Sequence, residues 1–191
     1  EDEKVLTESI EALKNESQHM KELVEQLLFL ARGDSGRNTL NKVKLDLNQM
    51  VSEVWEESQM IDEKHRYLFR GTDPAYMTGD IAMIKQSIRI FVQNAAKYSS
   101  DGADITLGVM LESGYVSYMI QDEGIGMESS DVVHIFERFY RSDEARNGET
   151  GGSGLGLSIA KWIVDAHSGT IQVVSRPEIG TRFIVRFPMC E

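Results

Sequence analysis

The chain has 191 residues, 41% of them hydrophobic, with 20 basic against 31 acidic side chains and a formal net charge of −11. That balance suits one globular domain with an appendage and excludes a wholly disordered, collagen-like or low-complexity polymer. The acidic excess disfavours nucleic acid as a partner, no apolar run approaches the roughly 18 residues of a membrane span, and the single cysteine, Cys190, excludes an internal disulfide or a multi-cysteine metal site.

Residues 1–32 read as one long helix, because Leu6, Ile10, Leu13, Ser17, Met20, Val24, Leu27 and Ala31 recur at alternating steps of four and three. Such a seam suits either a helix lying on its own domain or one that pairs in a bundle or dimer, and the scarcity of apolar residues beyond it favours pairing. Gly33-Asp34-Ser35-Gly36 stops the helix, so the expected domains are 1–36 and 37–191. Val43 to Leu47 alternates like a strand, and Asn48 is the expected cap of a helix reaching Asp62. Arg66–Gly71 and Ala75–Thr78 read as short strands around a Thr-Asp-Pro turn, and Asp80 caps a helix that carries Ile84, Ile88, Phe91 and Ala95 along one face. Residues 105–111 and 115–120 form a hairpin about Ser113-Gly114. A polar, glycine-rich stretch from Arg141 to Ser153 leads to a helix over 155–166, and strands 170–175 and 181–187 close the chain. Hairpins with helices able to cover one face predict an α/β two-layer sandwich of the α+β kind.

Three clusters carry chemistry. Asn94, Lys97 and Tyr98 share one helix face, where a neutral amide oxygen suits a hard Mg²⁺ ion, a lysine suits phosphate and a tyrosine suits the side of a base. The same residues equally suit an ordinary polar helix end. Asp122-Glu123-Gly124-Ile125-Gly126 follows a strand, so its carboxylate can accept an exocyclic amine while the glycines admit a close backbone, although a plain glycine turn reads the same way. Gly152-Ser153-Gly154-Leu155-Gly156-Leu157 opens a helix, and a helix N-terminus attracts anions such as phosphate. A dinucleotide fold would need a strand just before these glycines, and a P-loop would need Gly-Lys-Ser/Thr; neither is present.

In this order the clusters resemble a family, the bacterial sensor histidine kinases of two-component systems. Phe91 to Ser99 resembles their N box, Asp122-x-Gly124-x-Gly126 their first glycine box, Ile135 to Arg141 their F box and Gly152 to Leu157 their second glycine box. Gly169-Thr170-Ile171 and Gly180-Thr181-Arg182-Phe183 also fit, so the likeness covers residues 15–188. It implies the gyrase, chaperone and histidine-kinase ATPase type of sandwich, preceded by the second helix of the dimerisation and phosphotransfer pair. It also implies ATP and Mg²⁺, a phosphoacceptor helix, a response regulator, dimerisation through the N-terminal helix and a cytoplasmic place, in a protein anchored elsewhere in the membrane.

By the same resemblance Asn94 would hold Mg²⁺, Lys97 would contact phosphate, Tyr98 would lie beside adenine and Asp122 would accept the adenine amine. Gly124, Gly126, Gly152, Gly154, Leu155 and Gly156 would frame the nucleotide. Phe136 and Phe139 would anchor a mobile lid running from Gly126 to Gly154, with Arg138 or Arg141 reaching the phosphates.

Two departures stand out. Ile90 occupies the position where many members carry a second asparagine, and where the gyrase-like and chaperone-like ATPases place a water-activating glutamate, which argues against an ATPase clamp. The family's His-acidic-x-basic-x-Pro phosphoacceptor segment is missing, and His19, His65, His134 and His167 lack its setting. The expected activity is therefore transfer of the γ-phosphoryl group to a histidine outside this chain. A nucleotide-sensing module without turnover is the alternative.

Overall fold

The structure, a computed structural model, describes residues 2–142 and 152–190; the centre of the expected lid, 143–151, lies outside them, as does the His19 side chain. The chain divides into two compact units, Glu1–Thr39 and Leu40–Glu191.

The first unit is helix α1, Asp2–Asp34. It continues through Gly33, and the stop falls on Gly36, whose positive φ of 66° lets Arg37 N–H turn back to the Arg32 carbonyl at 2.9 Å. The Asn38 amide adds a bond to the Phe29 carbonyl at 3.1 Å. The seam residues Leu6, Ile10, Leu13, Met20 and Val24 are all more than half exposed, Leu13 at 71%.

The second unit is a five-stranded sheet with helices on one face and a small two-stranded sheet beside them. Strands β1 (Val43–Asp46) and β3 (Tyr76–Gly79) form the small antiparallel sheet, with Val43 opposite Gly79. The main sheet runs in the order β2-β4-β5-β7-β6, built from β2 (Arg66–Arg70), β4 (Asp104–Glu112), β5 (Tyr115–Asp122), β6 (Thr170–Arg176) and β7 (Gly180–Pro188). Only the β2–β4 pair is parallel; the others are antiparallel. The two short strands flanking the Thr-Asp-Pro turn therefore do not pair with each other: they enter different sheets, and the crossover to β4 passes through β3 and helix α3, Ile81–Lys97.

Helix α2, Leu47–Ile61, begins at Asp46 rather than Asn48. Asp46 Oδ1 accepts from the Asn48 N–H at 3.0 Å and from the Ala75 N–H at 2.9 Å, so one carboxylate caps the helix and ties it to the chain entering β3. Asn48 is left to accept from Thr72 N–H. Asp80 caps α3 as expected, its side chain accepting from Met83 N–H at 3.2 Å. Helices α2 and α3 are clamped by a two-pronged Arg89–Glu57 pair, both bonds 2.9 Å, and by Lys85–Glu53, whose ammonium holds the Glu53 carboxyl below the usual range. A short helix α4, Ser129–Val132, precedes the F-box-like segment, and α5, Gly156–Ala166, lies against α3.

The core lies between the helices and the sheet. Alternation along β5 sends Val116, Tyr118 and Ile120 inward, and the same phase carries Asp122 onto that face. Phe91 of α3 meets Phe183 with ring centroids 4.8 Å apart, and Tyr118, fully buried, shares a 2.9 Å hydrogen bond with the Ser87 hydroxyl.

His167 joins the small sheet to α5. Its Nε2 accepts from the Asp80 N–H at 3.0 Å while Nδ1 donates to the Ile163 carbonyl at 2.7 Å, an arrangement that only a neutral ring can make. Burial pushes its pKa down from the ordinary histidine value. The unfolded chain then binds a proton that the folded one refuses, so stability is lost as pH falls below the ordinary value of about 6.5. Urea midpoints measured down that range are expected to fall more steeply in the wild type than in His167→Gln; parallel profiles would contradict this.

Candidate functional site

The site is assembled around the last turn of α3. Asn94 Nδ2 donates to the Ile90 carbonyl one turn back at 2.8 Å, which turns Oδ1 away from the helix backbone as an acceptor. Lys97 lies with its ammonium 5.0 Å from the centre of the Tyr98 ring. Tyr98 ends the helix with its N–H on the Asn94 carbonyl at 3.1 Å, and its own carbonyl accepts from Ile125 N–H at 3.1 Å. That bond carries the chain leaving β5 against the end of α3.

Asp122 sits at the end of β5 and is 6% exposed. Oδ1 accepts from the N–H groups of Gly124 at 2.9 Å and Thr181 at 3.1 Å. Among the described residues no donor reaches Oδ2. Burial raises the Asp122 pKa, and the two backbone donors only partly oppose it, so the carboxylate is poorly compensated and open to one more donor.

Gly180 and Thr181, outside the three chemistry-bearing clusters, also reach Asp122. Gly180 has φ of 127°, and a Cβ there would run into the Asp122 carbonyl oxygen. Glycine thus lets β7 approach closely enough for the next N–H to reach the Asp122 carboxylate. The Gly180-Thr181 pair stood in the sequence, yet its contact with a residue 59 positions away is set by strand pairing.

The glycines bring the remaining segments together. A Cβ on Gly124 would strike the Tyr98 carbonyl oxygen, and one on Gly126 the Arg176 carbonyl. A Cβ on Gly152 would fall on the Lys97 ammonium, so the second glycine cluster abuts the α3 lysine directly. Gly154 backs onto Phe139, whose N–H reaches the Gly154 carbonyl at 3.0 Å. Gly156, the first residue of α5, faces the Ile90 side chain, with 3.5 Å between Ile90 Cγ2 and a Cβ built at Gly156. The Ser153 hydroxyl accepts from Leu155 N–H at 3.2 Å, and the Leu155 side chain is fully buried, so that residue offers a ligand only its backbone.

In the F-box-like segment Phe136 packs against the core while Phe139 is 56% exposed, and Arg138 is exposed with Arg141 half-buried. The aromatic anchoring expected of both phenylalanines is thus divided: only Phe136 is held by the core. Tyr140, whose hydroxyl donates to Asp131 at 2.8 Å, and the buried Ile135 fix the segment beside it. Among the described residues no group of three His, Cys, Asp or Glu side chains gathers as a metal centre, and no helix is long and apolar enough to cross a membrane.

A mixed sheet covered on one face, a buried carboxylate at a strand end and glycine clusters packed around one helix define an ATP-binding class of domain. The family described as "Histidine kinase-, DNA gyrase B-, and HSP90-like ATPase" matches residues 79–191, and the chain belongs to it. Sensor histidine kinase YkoH of Bacillus subtilis is 40% identical over 183 residues, covering 96% of this chain and 40% of that protein. Signal transduction histidine-protein kinase ArlS of Staphylococcus epidermidis is 34% identical over 192 residues, covering 98% of this chain and 41% of that protein. The chain thus spans about 40% of the length of these curated relatives. Full-length ShkA, solved with AMPPNP, shares the fold with a TM-score of 0.81 at 23% identity, over 94% of this chain and 38% of that one.

The raised Asp122 pKa has a consequence for the ligand-free protein. The folded state holds a proton at this carboxyl more tightly than the unfolded chain, so stability falls as pH rises from the ordinary aspartate value of about 3.9 through the folded one. Asp122→Asn removes that burden while keeping the acceptor for Gly124 and Thr181. Its urea midpoint at neutral pH is expected above that of the wild type; an equal or lower midpoint would contradict this.

Proposed function

We propose that this chain is the ATP-binding catalytic portion of a sensor histidine kinase, which transfers the γ-phosphoryl group of Mg-ATP to a histidine on a dimerisation helix. The observation that carries the reading is Asp122: a buried carboxylate with one oxygen held by two backbone N–H groups and the other, among the described residues, without a donor. Such an oxygen suits the exocyclic amine of adenine, with the Tyr98 ring beside the base.

Lys97, Gly152 and the α5 N-terminus converge where a phosphate chain leaving that base would run. The free N–H groups and positive dipole end of α5 favour anions there. The donor set fits Mg²⁺ held mainly by phosphates, because Asn94 supplies one neutral oxygen and among the described residues no carboxylate cluster competes for the ion. When bound, the metal neutralises charge on the transferred group. Asn94 and Lys97 position and stabilise; the accepting imidazole attacks the γ-phosphorus, the bond to the β,γ-bridging oxygen breaks and ADP leaves.

Ile90 offers no carboxylate to activate water and packs toward Gly156, which favours transfer to a histidine over an ATPase clamp. The exposed α1 seam has the pattern that pairs with a second such helix, in a longer protein that dimerises through it and passes its phosphoryl group to a response regulator.

Radiolabelled ATP tests the reading. This chain alone is expected to bind Mg-ATP without acid-labile label on its own histidines, and to label an added helix pair bearing a His-acidic-x-basic-x-Pro segment. Asp122→Ala is expected to cut that labelling roughly 10- to 150-fold at limiting ATP, the loss of one charge-assisted hydrogen bond. Labelling of this chain alone that disappears in His19→Gln would overturn the external acceptor, and binding without any transfer would favour a nucleotide sensor.

A further inference from the structure

The helices of the second unit pack on one face of the main sheet, and the strand residues of opposite phase make up the other. Register fixes how they are arranged. Across the middle of this outer face run Arg70, Gly108, Met119, Ile184 and Gln172, one residue from each strand. Met119 and Ile184 are half-buried, and neither belongs to the core on the far side. Gly108 brings no side chain to this row, and the Met119 methyl lies over it, 3.2 Å from where a Cβ would stand. The row is therefore low. Arg182 and Arg186 follow the same phase on either side of Ile184, about 14 Å apart at the usual rise per residue. They border a trough that crosses the strands.

The charge on this face runs against that of the chain. Arg66, Arg70, Arg176, Arg182 and Arg186 all have the outward phase, although the chain carries a net charge of −11. Arg66 is engaged by Asp104 and lies near Glu123, so its corner is neutralised. Arg182 instead directs Nε and Nη2 to the neutral Gln121 Oε1, at 2.9 and 2.6 Å. That holds the guanidinium in place and leaves its charge uncompensated. Arg186 Nε lies 3.4 Å from a Glu112 oxygen, yet it is shielded from water and among the described residues makes no hydrogen bond. Among the described residues no carboxylate pairs with Arg70, Arg176 or Arg182.

Charge and shape together select the occupant. Arginine forks suit carboxylates, which they can hold by two parallel bonds. Four interstrand spacings of about 4.8 Å make the trough about 19 Å long, the length of an α-helix of about 13 residues, and its width admits a helix about 10–12 Å across. A flat bilayer surface would rest on the guanidiniums without reaching Met119 and Ile184. A helix settles between them, with an apolar stripe on the floor and acidic residues on both flanks.

We propose that the outer face of the main sheet docks an acidic amphipathic helix of a partner protein, its apolar stripe on Met119 and Ile184 and its carboxylates on Arg182 and Arg186. Met119, flexible and polarizable, supplies the adaptable contact. The proposal is independent of the nucleotide reading, because Asp122 has the inward phase of β5 and the trough lies on the opposite face.

The probe is a synthetic helix of about 14 residues with a leucine stripe flanked by glutamates, set beside a twin with lysines in their place. The methyl resonances of Met119 and Ile184 in the full chain are followed as each peptide is added. The glutamate peptide is expected to shift both and to bind more weakly as salt rises from about 50 to 500 mM, while the lysine twin leaves them in place. Arg182→Gln and Arg186→Gln are each expected to weaken binding about 2- to 5-fold, the scale of one exposed ion pair, and Lys161→Gln on α5 to leave it unchanged. Unaltered Ile120 and Val185 methyl resonances establish that each variant is folded.

Equal binding of the two peptides, shifts confined to the α1 seam, or arginine variants that bind like the wild type would overturn the proposal. Two further measurements test the other occupants. Phosphatidylserine vesicles that shift the Met119 and Ile184 methyls without peptide would assign the face to a membrane. Self-association that shifts them as protein concentration rises would assign it to a second copy of this chain. Either result would overturn the helix as occupant, and silence in both is the expected outcome.

Discussion

A carboxylate buried at the end of a central strand is the constraint around which the second unit is arranged. Asp122 reaches the interior because it continues the inward phase of Val116, Tyr118 and Ile120, so the alternation that builds the core also carries a charge to its edge. A charge there is costly unless it is hydrogen-bonded, and among the described residues the fold supplies two backbone donors, both to Oδ1. Supplying them requires β7 to come so close that residue 180 must be glycine. The close approach of β5 and β7 thus follows from satisfying one oxygen of one side chain.

Helix α3 gives that carboxylate its surroundings. Its apolar face, with Ile84, Ile88, Phe91 and Ala95, is packed into the core, which fixes the rotation of the helix and hence the direction of its last turn. Asn94, Lys97 and Tyr98 are presented at its C-terminal end, within reach of the first glycine cluster through the Tyr98 carbonyl and of the second through the Lys97 ammonium. The pairs from Arg89 and Lys85 to α2 hold the helix from behind. Rigid elements thus carry the polar side chains while the glycine segments pack against them.

Most of the elements were legible from periodicity, since the long seam of α1, the alternation of β4 to β7 and the Asp80 cap are local patterns. The failures share a cause. Asp46 displaced Asn48 as the α2 cap because it also satisfies Ala75, a partner 29 residues away. The strands around Thr-Asp-Pro are legible as strands, but their partners are not, because the parallel pairing of β2 with β4 depends on a crossover that no local signal announces. Short α4 carries too few residues for periodicity to register. Within the candidate site the residues were named by resemblance, Gly180 and Thr181 among the matching segments, whereas the contact of Thr181 with Asp122 is made by tertiary pairing. The exposure of Phe139 beside the packed Phe136 likewise follows from backbone geometry, its φ of 64° turning it away from the helical path.

The central claim is that Asp122 reads adenine. Affinity for Mg-ATP and Mg-GTP, measured by calorimetry on the same preparation, tests it most directly, because guanine places a carbonyl oxygen where adenine carries its amine. A carboxylate facing that oxygen would set two acceptors against each other in a buried place. The account predicts ATP binding at least about tenfold tighter than GTP, with the preference lost in Asp122→Ala. Equal affinity for the two nucleotides in the wild-type protein would contradict it.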